Sequence, residues 1–169
     1  MVHLYTGDGK GKTTAAIGLA MRAAGRGRAV TFAQFMKGSD TGELHSLARI
    51  PLIRICRSPR EFGFYASMTD EDKAALTEIH NHMLAELLAA ARSGDTRLIV
   101  LDEITYPVNW GLLDVERLKE LMTYRDVELA LTGRDPAYFL RESADYITEM
   151  RCVRHPYERG VKAREGIEY

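Results

Sequence analysis

The chain has 169 residues, with Lys+Arg 23 against Asp+Glu 24 and a formal net charge of −1. That length favours one domain spanning 1–169, whose folding removes about 68–70% of the unfolded surface without help from disulfides. Near-neutral charge argues against a nucleic-acid backbone as partner, 46% hydrophobic and 28% charged content argue against disorder and fibrous structure, and no apolar run approaches the roughly 20 residues of a membrane span.

A short apolar run at 2–5 leads into a glycine-rich stretch and then an alanine-rich helical pattern over 14–24, closed by Gly25 and Gly27. Residues 29–35 (AVTFAQF) predict a second strand and 53–56 a shorter third, with a helical turn or two over 44–49 between them. Thr69 at N-cap and Asp72 at N3 read as a capping box. Leu76, Ile79, Met83, Leu87 and Ala90 then repeat at three- and four-residue steps, predicting a long amphipathic helix to about Arg92. LIVL at 98–101 reads as a strand buried on both faces and ending in Asp102-Glu103. A helix over 114–122 follows, then the strand VELALTG, then Asp135-Pro136 as N-cap and N1 of another helix. Residues 146–153 predict a last strand at a sheet edge. Strands alternating with helices imply a three-layer α/β/α domain around a mainly parallel sheet of five or six strands, the architecture of P-loop NTPases of the RecA-like type. Ligands then sit at the carboxyl ends of the strands.

Gly7-Asp8-Gly9-Lys10-Gly11-Lys12-Thr13-Thr14 lies between strand and helix, the context of a phosphate-binding loop. Glycines let successive N–H groups face one anion, the helix N-terminus adds its dipole, and Lys12 adds a full charge. The Thr13 hydroxyl suits a magnesium ion bridging phosphate oxygens. One departure from G-x-x-x-x-G-K-[ST] is Thr6, which stands where the first glycine belongs. Asp102 and Glu103 occupy the place of the loop's acidic partner. Both are candidate metal ligands, Glu103 preferred as the direct one with Asp102 in support. Arg134 ends another strand, placed either to pair with phosphate or to form a surface ion pair. Gln34 and Lys37 follow the second strand near the same rim, Lys37 being either a substrate contact or a solvated charge. Phe62, Phe64 and Tyr65 flank Gly63 as either core or a flat aromatic lid. His80 and His82 stand two apart on one helix and cannot share a metal. Cys56 and Cys152 have no C-x-x-C spacing and read as reduced thiols. MVHLYTGDG carries no secretory signal, which predicts a cytoplasmic protein.

Taken in order, TGDGKGKTTAA with GLAMRAAGRG, QFMKG, VLDEITY, LTGR, ADYITEM and RHPYERGVKAREGIEY resemble the corrinoid adenosyltransferases of the ATP:cob(I)alamin type over nearly the whole chain. The resemblance implies that a corrinoid cobalt reduced to Co(I) attacks the 5′ carbon of ATP and expels triphosphate, in synthesis or salvage of adenosylcobalamin. For that chemistry Lys12, the loop amides and a Mg2+ (or Mn2+) cofactor on Thr13 and Glu103 would stabilise the triphosphate, with Arg134, from its place at a strand end, as a further candidate catalytic residue. ATP would lie in the opposite sense to most phosphate-loop enzymes. The aromatic segment would pack on the corrin and exclude the lower axial ligand. Relatives often carry Trp near Ala66, where this chain reads FGFYAS. The chain also starts almost directly at its first strand, which predicts a more open corrin site or cover from a partner. A homodimer and a flavoprotein electron donor are further implications. The alternatives are a nucleoside or small-molecule kinase and a non-catalytic ATP-binding module built on the same loop.

Overall fold

The computed structural model describes residues 1–167. Its elements run β1 (Val2–Thr6), α1 (Lys12–Ala24), β2 (Val30–Gln34), α2 (Gly42–Leu47), β3 (Ile53–Arg57), α3 (Asp70–Ser93), β4 (Leu98–Asp102), α4 (Thr105–Asn109), α5 (Val115–Met122), β5 (Glu128–Thr132), α6 (Tyr138–Glu142) and β6 (Tyr146–Glu149). The six strands form one sheet, ordered β3-β2-β4-β5-β1-β6, and every pairing is parallel.

Period-two alternation divides the strand side chains between two cores. Leu4, Ile99, Leu101, Leu129 and Leu131 pack with Leu84 and Leu87 of α3 and with Leu118 and Leu121 of α5. Val30, Phe32, Val100 and Ala130 face the other way, onto Ala16, Ala20 and Ala24 of α1. Helices therefore cover both faces, which is why β4 reads as continuous apolar sequence. Each fully buried Leu or Phe contributes about 1.5–3 kcal/mol. The capping box of α3 is present, with Thr69 accepting from the Asp72 N–H, and Gly94 ends the helix at φ 77. Among the described residues no helix is long and apolar enough to cross a membrane.

Two boundaries differ from expectation. The last α-helix begins at Tyr138 with Ala137 at its N-cap, instead of at Asp135-Pro136. Asp135 has φ 45 and its carbonyl accepts a 2.8 Å bond from the Asn109 side chain, so the chain makes one more turn before the helix starts. β6 ends at Glu149, short of Val153, because the Met150 carbonyl turns to accept the Gly9 N–H at 2.6 Å. The short α4 has no counterpart in the sequence reading.

Candidate active site

β5 lies between β1 and β4, so the loop after β1 and the acids after β4 face each other across the carboxyl end of β5. The loop lies close against the end of β6. A Cβ on Gly9 would stand 2.7 Å from the Met150 carbonyl oxygen, and Gly11 has φ 116, so both positions require glycine. Lys12 is buried and its Nζ donates to the Gly7 carbonyl at 2.6 Å and the Gly9 carbonyl at 2.8 Å, which holds the loop curled around it. Burial, and then the charge of Arg134, lower its pKa.

Asp102 is fully buried at the centre of a hydrogen-bond network. Its Oδ1 accepts from Thr13 Oγ1 and Thr132 Oγ1, each at 2.8 Å, and its Oδ2 accepts from Lys37 Nζ at 2.9 Å. Gln34 Nε2 donates to Glu43 at 3.1 Å and lies 3.5 Å from the same Oδ2. Burial works against the Lys37 ammonium, but Asp102, through its charge and hydrogen bond, outweighs this and raises the pKa.

Glu103 is placed differently. Its N–H donates to Thr132 Oγ1 at 2.9 Å, its φ is 60, and its Oε2 is buried with no hydrogen-bond partner. Burial and the charge of Asp102 raise its pKa, against the lowering effects of Lys37, Lys12 and Arg134. Met36 and Asp135 also have positive φ, so among the described residues each non-glycine residue in that region sits just past a strand's carboxyl end. Such backbone costs on the order of 1–3 kcal/mol per residue and concentrates at working sites. Glu103, Lys37 and Arg134 line one cavity of about 860 Å³ with Lys10, Thr13 and Thr14. Arg134 is exposed and, among the described residues, forms no surface ion pair.

The aromatic segment divides by exposure. Phe62 and Tyr65 pack on the small cluster of Met68, Leu76 and Leu112, whereas Phe64 is 87% exposed. Tyr65 stacks on Trp110 with ring centroids 4.2 Å apart and planes 12° apart, and Tyr106 lies 5.1 Å from the same indole. The Tyr106 N–H donates to the carbonyl of Glu103 at 3.4 Å, and Glu103 lines the cavity, so the aromatic platform lies one helical turn from it.

The model of the family "ATP:corrinoid adenosyltransferase BtuR/CobO/CobP" matches residues 1–169. The chain belongs to this family. It is 34% identical over 171 residues to the corrinoid adenosyltransferase of Escherichia coli K12, covering 100% of this chain and 85% of that protein. The corrinoid adenosyltransferase CobA of Salmonella typhimurium is 33% identical over 174 residues, with 100% and 85% coverage. That of Pseudomonas aeruginosa is 33% identical over 170 residues, with 98% and 82% coverage. As a corrinoid adenosyltransferase family member the chain is a transferase enzyme with ATP and corrinoid as substrates, and the kinase and passive-module alternatives are not favoured.

Sequence reading missed Thr132, Tyr106 and Trp110. Thr132 is an ordinary strand residue until β5 inserts between β1 and β4. Trp110 is the only tryptophan in the chain, and its place just beyond β4 was the available signal.

Proposed function

We propose that the chain transfers the 5′-deoxyadenosyl group of ATP to the Co(I) centre of a reduced corrinoid and releases triphosphate, in adenosylcobalamin synthesis or salvage. The observation that carries this reading is one cavity holding a phosphate loop, Lys12, Arg134 and the unpartnered Glu103 oxygen, with an exposed aromatic platform beside it.

In the step itself the cobalt supplies an electron pair to the 5′ carbon, a cobalt–carbon bond forms, and the carbon–oxygen bond breaks with its pair going to the leaving triphosphate. Co(I) carries no proton, so no general base is required. Alignment and stabilisation of the leaving charge are what the residues provide. Loop N–H groups between Gly7 and Thr14, other than that of Gly9, which donates to the Met150 carbonyl, would face the departing phosphates together with Lys12 and Arg134. Asp102 orients the Thr13 hydroxyl and anchors Lys37.

A divalent Mg2+ or Mn2+ fits this donor set. Hard oxygen ligands are present in the Thr13 hydroxyl and the free Glu103 Oε2, while both Asp102 oxygens already accept from side chains. Among the described residues no group of three or more His, Cys, Asp or Glu forms a closed cage, as expected of an ion shared with phosphates. When bound, it would offset phosphate charge from the side of Thr13 and Glu103.

Phe62, Phe64 and Tyr65, extended by Trp110, form the corrin-facing side in this reading, with Phe64 and Ala66 exposed at its edge. The likeness to the family further supports a single domain, a homodimer, a flavoprotein electron donor and a cytoplasmic setting. Lys12→Ala should abolish turnover, whereas Phe64→Ala should raise the KM for corrinoid and leave ATP affinity unchanged. Equal loss of both affinities in Phe64→Ala would remove the aromatic platform from the account.

A further inference from the structure

His80 and Asn81 are neighbours on α3 and take no part in the chemistry above. His80 is fully buried against Phe35, with ring centroids 5.2 Å apart, and its Nδ1–H donates to the Leu112 carbonyl at 2.9 Å. Asn81 Oδ1 accepts the Asp114 N–H at 2.7 Å. Two successive side chains of one helix therefore clamp both ends of the link 112–114, which joins α4 to α5. The His80 bond is kept even though Nε2 is buried without a partner among the described residues, and a buried Leu112 carbonyl would otherwise be left unsatisfied.

The clamp lies just beyond Trp110. On the other side the indole's backbone is tied to α4, where the Trp110 N–H donates to the Tyr106 carbonyl at 2.9 Å and the Leu112 N–H to the Pro107 carbonyl at 2.8 Å. Gly111 stands between, with φ 67 and open space where a Cβ would be. A glycine in open space does not fix the direction of the chain by itself, so the contacts from α3 do. Tyr65, the partner of the stack, is referred to the same helix. It opens the 3₁₀ turn Tyr65–Ser67, which leads through Thr69 into α3, and it packs on the cluster that contains Leu112. Both rings are thus registered against α3, Tyr65 through the chain that enters it and Trp110 through the clamp.

We propose that His80 and Asn81 are positioning residues for the corrinoid side of the reaction, setting the distance and tilt of Trp110 against Tyr65. This rests on the reading that the aromatic platform faces the corrin. Neither residue lines the cavity of the loop after β1, so the clamp should act on corrinoid and not on ATP.

The test reads Trp110 directly. Because it is the only tryptophan, its quenching by acrylamide reports the stack with no corrinoid present. Asn81→Leu keeps the side-chain shape and removes the acceptor, His80→Leu removes the donor, and His80→Asn keeps a donor at the place of Nδ1. Quenching should rise about twofold in both Leu variants and the KM for corrinoid about fivefold, the size of a weakened aromatic contact, while the KM for ATP changes by less than about twofold. His80→Asn should return both readouts toward wild type. Leu88→Ala opens a cavity in the core further along α3. It should lower the melting temperature yet leave quenching and the corrinoid KM unchanged, which separates positioning from general loss of stability. Wild-type quenching in both Leu variants, or the same rise in Leu88→Ala, would overturn the proposal. A loosened stack with an unchanged corrinoid KM would refute the corrin-facing reading of the platform, and with it the role in the reaction, while the clamp on Trp110 would stand.

Discussion

Thr13 Oγ1 donates a 2.8 Å hydrogen bond to Asp102 Oδ1 across 89 residues of sequence. This contact joins the first turn of α1 to the end of β4, with Thr132 of β5 bonded to the same oxygen. The loop after β1 is thereby held in register with the acids after β4, which is the preorganisation that the proposed charge stabilisation of a leaving group requires.

Asp102→Asn tests that network. It leaves Lys37 without its buried counter-charge and presents an N–H₂ where side chains now donate. Unfolding free energy should fall by about 3 kcal/mol, typical of breaking a buried pair from one side. Denaturant titration at pH 7 is the measurement, and a loss under about 0.5 kcal/mol would show that Asp102 does not organise the site.

Glu103→Gln should act in the opposite direction on stability. The folded carboxyl titrates above its ordinary range, chiefly through burial. Its contribution to stability is present at acid pH and is lost as pH rises through the folded pKa, so the ionised group is a cost at neutrality. The variant should therefore melt at higher temperature at pH 7, by up to about 2–4 °C if about 1 kcal/mol is recovered. It should also lose most of the added melting temperature that Mg-ATP confers on the wild type. A lower melting temperature for the free variant would mean that the unpartnered oxygen is not a liability.

His80 gives a pH-dependent term. Its Nδ1–H donates to the Leu112 carbonyl at 2.9 Å, Nε2 has no partner, and the ring is fully buried against Phe35. Burial pushes its pKa down to about 4 from an ordinary 6.5, the bond to Leu112 opposing only in part. The unfolded chain takes up the proton first, so stability is intact above pH 6.5 and is lost as pH falls toward 4. Between pH 7 and 4.5 the wild type should lose more stability than His80→Leu, by up to about 3 kcal/mol. Parallel curves for the two proteins would contradict the assignment.

Trp110 offers an optical report on the proposed corrin side. As the only tryptophan, stacked on Tyr65, it should show quenched emission as corrinoid is titrated in, with no comparable change on adding Mg-ATP. Trp110→Phe should keep ATP affinity and weaken corrinoid binding by about tenfold, as expected when a stacked aromatic loses contact area. Emission insensitive to saturating corrinoid would place the substrate elsewhere.

Much of this was legible in the chain because local patterns coincide with local structure. The glycines and lysines of 7–14 between an apolar run and an alanine-rich helix specify strand, loop and helix together, and Thr69 with Asp72 specifies the start of α3. Long-range placement was not legible. Asp102 and Glu103 are neighbours with the same chemistry, and only the donors brought by α1, β5 and residue 37 assign one to the network and leave the other free. Tyr65 and Trp110 come together through the packing of α4 against the segment before α3. Asp135-Pro136 resembles a helix start, but a Cβ at Gly133 would collide with Thr105 and the glycine has φ 145, so the chain is still turning there.

The most direct test of the central claim is an anaerobic reaction of the protein with Mg-ATP and chemically reduced corrinoid, followed by analysis of both products. The account predicts an alkylated corrinoid bearing a cobalt–carbon bond and triphosphate in equal amounts. ADP and phosphate without alkylated corrinoid would contradict it.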